Sequence, residues 1–216
     1  MIAAVIFDLD GVLVDSESVW DAVREQLTRE SGGRWHDHAQ RDMMGMSSLE
    51  WSRYMHETLC VPMEPDDISR LVVARLEDRY RRDLPLLPGA VETVREVANT
   101  WTLGLASSSN RPVIDLVLEL TGLADCFAVT VSSEEVERGK PAPDVYLEAA
   151  RRLEADPTTG AAIEDSTNGI RSAKAAGMLV AVVPRPDFPP APEALELADL
   201  VLDSLAELPS ALDRAA

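Results

Sequence analysis

Apolar positions along this chain fall into two textures. Between residues 16 and 82 they recur at helical spacing with no convincing strand, and beyond residue 84 short β-branched runs alternate with helical stretches. Val19, Trp20, Val23 and Leu27 stand three or four apart, which sets them on one helix face, and Gly32-Gly33 halts the run. Ser47 or Ser48 is placed to cap a second helix running toward Leu59. A third stripe, Ile68, Leu71, Val72, Leu76 and Tyr80, follows Pro65-Asp66-Asp67. These stripes predict a small helical bundle whose Trp and Met residues serve as packing.

The alternating part predicts a different architecture. Residues 2–7 read as a buried strand, followed after the helical block by strands at 103–106, 127–131, 161–163, 178–183 and 200–202. Helices are predicted between them, up to Ala98, from Pro112, over 145–153, and up to Ala176. Residues 184–192 hold five prolines and read as a stiff surface loop. Strands alternating with helices imply a parallel sheet covered on both faces. The fold class is therefore α/β, with a core of residues 1–15 and 84–216 and an inserted helical cap of residues 16–83.

Charge narrows the function classes. The 216 residues carry a formal net charge of -18. Phosphate backbones are gripped by clustered Lys and Arg, so nucleic acid and acidic membrane surfaces are poor partners. With no basic leader and no apolar stretch long enough to span a bilayer, a cytoplasmic, soluble protein is expected. Cys60 and Cys126 lie far apart and form no metal-binding spacing.

Chemistry concentrates where strands end. The first strand runs into Asp8-Leu9-Asp10-Gly11. In an extended chain the side chains at i and i+2 point the same way, so two carboxylates meet at a sheet edge and repel unless a cation or a shared proton intervenes. Taken alone, this pattern reads equally well as a turn after a strand. A calcium loop is a poorer match, because residues 8–19 lack the further ligands and the closing glutamate. Three other strand ends carry functional side chains: Ser107 in a serine run, Lys140 between Gly139 and Pro141, and Glu164-Asp165. Lys140 is one of only two lysines in the chain. Parallel strands bring their carboxyl ends to one edge, where open α/β sheets bind ligands.

Phe7-Asp8-Leu9-Asp10-Gly11-Val12-Leu13-Val14-Asp15-Ser16-Glu17 resembles the first motif of the haloacid dehalogenase superfamily, in its sugar-phosphatase and β-phosphoglucomutase branch. Ser107, Lys140 in Gly-Lys-Pro-Ala-Pro-Asp, and Glu164-Asp165-Ser166 match the second, third and fourth motifs, and residues 16–83 stand where that branch carries its helical cap. The resemblance implies a Rossmann-like core with the first strand at its centre. It assigns Asp8 as nucleophile, Asp10 as general acid and base, and Mg2+ to Asp8, Asp10, Glu164 and Asp165. Phosphoryl oxygens fall to Ser107, Lys140 and the amides around Leu9 and Ser108.

The implied substrate is a small phosphate ester, and the implied protein a monomer. Asp10 argues against dehalogenase chemistry, and a cap without lysine against Schiff-base phosphonatase chemistry. The mutases' cap histidine and arginine are replaced by Trp20 and Ser48, so the expectation is hydrolysis of a sugar or polyol phosphate, with a β-phosphoglucomutase-type reaction as the alternative. A non-catalytic binding protein is disfavoured because every acidic position is retained. His36, His38, Arg41, Arg53 and His56 are the cap's candidates for specificity.

Overall fold

β1 (Ala4–Phe7) is buried along its whole length and lies near the middle of a parallel sheet in the computed structural model, which describes residues 2–44 and 46–216. The other strands are β2 (Thr102–Ser107), β3 (Phe127–Ser132), β4 (Gly160–Glu164), β5 (Leu179–Val182) and β6 (Leu200–Val201), in the spatial order β3-β2-β1-β4-β5-β6. Register sets the site. Phe7 pairs with Leu105 on one side and Ile163 on the other, so Asp8, Ser107 and Glu164 emerge together at the carboxyl edge.

Alternation along β1 divides its side chains between two layers. Val5 and Phe7 join a cluster with Leu103, Leu105, Val94 and Ile114, whereas Ile6 packs with Val145, Tyr146, Ile170 and Val180. The first layer belongs to α5 (Ala90–Ala98) and α6 (Arg111–Thr121), the second to α7 (Asp144–Arg152) and α8 (Thr167–Ala175). A strand buried on both faces in this way reads as an unbroken apolar run.

The inserted segment is helical throughout: α1 (Glu17–Glu30), α2 (Ala39–Met43), α3 (Ser48–Glu57) and α4 (Pro65–Arg82). Ser47 caps α3, and the Glu50 carboxylate accepts from its backbone N–H and its hydroxyl at 2.8 and 2.7 Å. α4 starts on Pro65 with Asp66 and Asp67 in its first turn and ends among Arg79, Arg81 and Arg82, a polarity that suits the helix dipole. Leu71 departs from the predicted stripe and is 42% exposed. The short α2 had no periodic signal to announce it. Two chain crossings join this segment to the sheet side by side, with Asp15 N–H donating to the Pro85 carbonyl at 2.7 Å and Leu87 N–H to that of Leu13 at 3.0 Å.

Two short helices complete the chain, α9 (Pro192–Leu195) and α10 (Leu208–Ala215). Among the described residues no helix is long and apolar enough to cross a membrane.

Candidate active site

The turn after β1 is built around Gly11. Its φ of +78° lies in the left-handed region, and a Cβ there would run into the Asp165 carboxylate. Gly169, in the first turn of α8, makes the same allowance for Glu164. Both glycines are there so that acids can be packed closely. The Asp-x-Asp-Gly motif signals the first; nothing in the sequence singles out the second.

Lys140 stands at the centre of the acids. Its Nζ donates to Asp8 Oδ1 at 2.8 Å and to Glu164 Oε1 at 2.7 Å, and all three side chains are almost fully buried. Glu164 is further held by the Tyr146 hydroxyl at 2.7 Å on Oε1. Its Oε2 accepts from the Asp165 and Ser166 amides at 3.1 and 3.3 Å and from Ser166 Oγ at 3.1 Å. Asp165 is different. Its Oδ1 is buried with no hydrogen-bond partner among the described residues.

Charge explains why that matters. Burial pushes the Asp8 carboxyl up, Lys140 pulls it back, and Glu164 and Asp10 push it up again. Asp165 lies well above the ordinary carboxylate range, through burial first and then the charges of Glu164 and Asp8. Burial works against the Lys140 ammonium, but Asp8 and Glu164 outweigh it and hold its pKa above the usual value. One ammonium cannot neutralise three buried carboxylates. Asp8, Glu164 and Asp165 each offer an oxygen, these lying within 4.8 Å of one another. The orphaned Asp165 oxygen and the uncompensated charge therefore fit a hard divalent cation.

Asp10 faces the helical segment. Its Oδ2 accepts from Ser109 Oγ at 2.6 Å and from Ser107 Oγ at 3.4 Å, while Oδ1 accepts from the indole N–H of Trp20 at 3.3 Å. Trp20 thus reaches across from α1 to a carboxylate of the core.

A cavity of about 270 Å³ lies between the two parts of the chain. Asp8, Asp10, Ser108, Lys140 and Asp165 form its floor, and Glu17, Trp20, Arg24, Arg41, Met44, Met46 and Trp51 line it from the helical segment. Ser107 is fully buried, with Ser108 and Ser109 presented to the cavity instead. Leu9 is likewise wholly buried and is not among the residues that line the cavity.

Among the histidines and arginines singled out in the sequence, Arg41 lines the cavity, whereas His36, His38, Arg53 and His56 do not. His36 and Asp42 both contact the Tyr54 hydroxyl, and His56 contacts the Met63 carbonyl. The packing role expected of Trp and Met holds for Met43 and Met55, which are buried in the core, while the buried Trp20 and Trp51 also wall the cavity, as do the half-buried Met44 and Met46. The proline-rich loop is also more than surface, because Phe188, Pro189 and Pro190 close one side. Arg24 carries no signal in the sequence, since at helical spacing a charged residue between apolar ones reads as solvated.

The model of the haloacid dehalogenase-like hydrolases matches residues 2–177. The chain belongs to this family. It is 36% identical over 214 residues to hexitol phosphatase B of Escherichia coli K12, covering 96% of this chain and 94% of that one. CbbY of Rhodobacter sphaeroides, solved with phosphate, superposes with a TM-score of 0.85 at 28% identity over 96% of each chain. The β-phosphoglucomutase of Clostridium difficile superposes at 0.82 with 25% identity, over 96% of this chain and 93% of that one. This member of the family is a phosphatase.

Proposed function

We propose that this chain hydrolyses a small sugar or polyol phosphate with the help of Mg2+, through a phosphoryl group carried on Asp8. The observation that carries the reading is the pair Asp8 and Asp10 on the floor of one cavity, with Lys140 on the first. The Asp8 oxygen not engaged by Lys140 attacks phosphorus, and the bond to the leaving oxygen breaks. Asp10 gives a proton to the departing alkoxide. A water then attacks the phosphoryl group, Asp10 takes the proton of that water, and Asp8 leaves as a free carboxylate with inorganic phosphate. Asp8, Glu164, Asp165 and the Asp10 carbonyl would hold the cation. When bound, it offsets the phosphate charge among these acids.

Hydrolysis is favoured over mutase chemistry by residue 48, where the mutases of the branch carry arginine. Ser48 Oγ donates to Glu134 Oε1 at 3.3 Å and borders a separate cleft of about 310 Å³. Glu134 also accepts from Asn110 Nδ2 at 2.7 Å, so this position fastens the cap to the core. The test is turnover of hexitol and hexose phosphates with Mg2+, following free phosphate. Asp8→Asn should abolish it. Formation of glucose 6-phosphate from β-glucose 1-phosphate, with a trace of hexose bisphosphate, well ahead of free phosphate would overturn the hydrolase reading.

A further inference from the structure

Glu17, Trp20 and Arg24 stand three and four residues apart on α1, so all three project from one face toward the cavity. Arg24 is only 6% exposed, and its guanidinium lies against a pair of indoles, 4.7 Å from the Trp20 ring and 4.9 Å from that of Trp51, the two rings being 5.9 Å apart. No hydrogen bond or ion pair to the Arg24 guanidinium occurs among the described residues, and its Nε is buried without a partner. A guanidinium out of water with unused donors is costly. Cation–π contact with the two rings offsets part of that cost and leaves the N–H groups without protein acceptors. A buried donor-only group lining a reaction cavity is therefore incomplete without acceptor oxygens from a ligand.

Two ligand chemistries supply such oxygens, a second anion or the hydroxyls of an uncharged polyol. The charge balance separates them. Even with Asp10 carrying the proton it donates, three further carboxyl groups line the cavity, Asp8, Glu17 and Asp165, against the three cations Arg24, Arg41 and Lys140. A divalent metal and the phosphate dianion under attack cancel each other, so no positive surplus is left for another phosphate or carboxylate. Hydroxyls fit both neighbours, since Arg24 only donates and the Glu17 carboxylate accepts. Carbon-bound faces of a polyol also suit the indole and methionine walls.

Building on the phosphatase reading above, we infer that Arg24, held against Trp20 and Trp51, is the specificity-determining residue that reads hydroxyl oxygens of an uncharged, polyhydroxylic leaving group.

Its test compares wild type, Arg24→Met and Arg24→Lys on a hexitol 6-phosphate, a hexose bisphosphate and p-nitrophenyl phosphate. Methionine keeps the packing against the indoles but cannot donate. Its kcat/KM for the hexitol phosphate should fall about 30- to 100-fold, mainly through KM, the size expected for charge-assisted hydrogen bonds. The loss on the aryl phosphate should be at least tenfold smaller. Lysine keeps the charge without the fork and should recover only part of the loss. Equal losses on both esters would reduce Arg24 to a packing partner of the indoles and overturn the inference.

A wild-type preference for the bisphosphate that vanishes in Arg24→Met would also overturn it, making Arg24 an anion clamp. Wild type turning over the aryl ester with no preference for polyol phosphates would overturn the substrate reading itself. A retained polyol preference in Arg24→Met would overturn only the role of Arg24. Should Arg24→Met fail to give a cooperative thermal melt, the comparison rests on Arg24→Lys, where equal losses on both esters would likewise overturn the inference.

Discussion

Lys140→Met removes the ammonium that touches Asp8 at 2.8 Å and Glu164 at 2.7 Å. The side chains of those acids are 7% and 0% exposed, so solvent cannot take over. Deleting one partner of a buried pair costs about 3–5 kcal/mol, because the orphaned charge stays out of water. Tyr146 and two backbone amides still donate to Glu164, which favours the lower end, about 3 kcal/mol. For a chain of this length that corresponds to a Tm lowered by roughly 6–12 °C.

The sign with pH follows from Asp8. Its pKa is already raised in the folded state, chiefly by burial, and Lys140 is what pulls it back. Without Lys140 it rises further, and a carboxyl whose folded pKa exceeds its unfolded value loses stability as pH climbs between the two. Well below its value of about 8 Asp8 is protonated in both proteins, so the gap should stay level from pH 5 to 7 and widen as pH climbs above about 8. The assay is a series of thermal melts in chelator from pH 5 to about 9.5, repeated with Mg2+, which should close part of the gap. A variant melting within 2 °C of wild type at every pH would refute the view that Lys140 neutralises these acids.

Other outcomes test the cation site and the cap. In chelated wild type, Mg2+ at about a hundred times its Kd should stabilise the fold by roughly 2.7 kcal/mol. Asp165→Asn should lose most of that shift, and an undiminished shift would place the ion elsewhere. Glu17 is half-buried, with burial lifting its pKa from 4.5 to about 7. Its folded state holds the proton longer, so wild type sheds stability as pH rises through that interval. Glu17→Gln should remove this slope and leave the variant about 1–2 kcal/mol more stable at pH 8, once partial solvent screening is allowed for. Denaturant titrations at pH 4.5 and 8 measure the difference, and parallel curves for the two proteins would contradict it.

Much of this molecule is determined locally. The run of β-branched residues before Asp8, the proline and glycine punctuation, and the capping serine at position 47 fix where elements begin and end. Parallel ladders then carry the chemistry, because hydrogen-bond register aligns the ends of β1, β2 and β4 without reference to side chains. Asp8, Asp10, Lys140, Glu164 and Asp165 were accordingly legible as a group.

The cap side of the cavity was not legible, because long-range packing decides it. Only tertiary structure lays Arg24 against two indoles, where the same residue on an isolated helix would lie in water. It also turns Ser48 toward Glu134, 86 positions away, and folds Phe188 from a proline-rich loop onto the cavity wall. Periodicity reports which helix face is buried. Whether that face meets a core or a substrate is set by the element packed opposite, which no window of sequence contains.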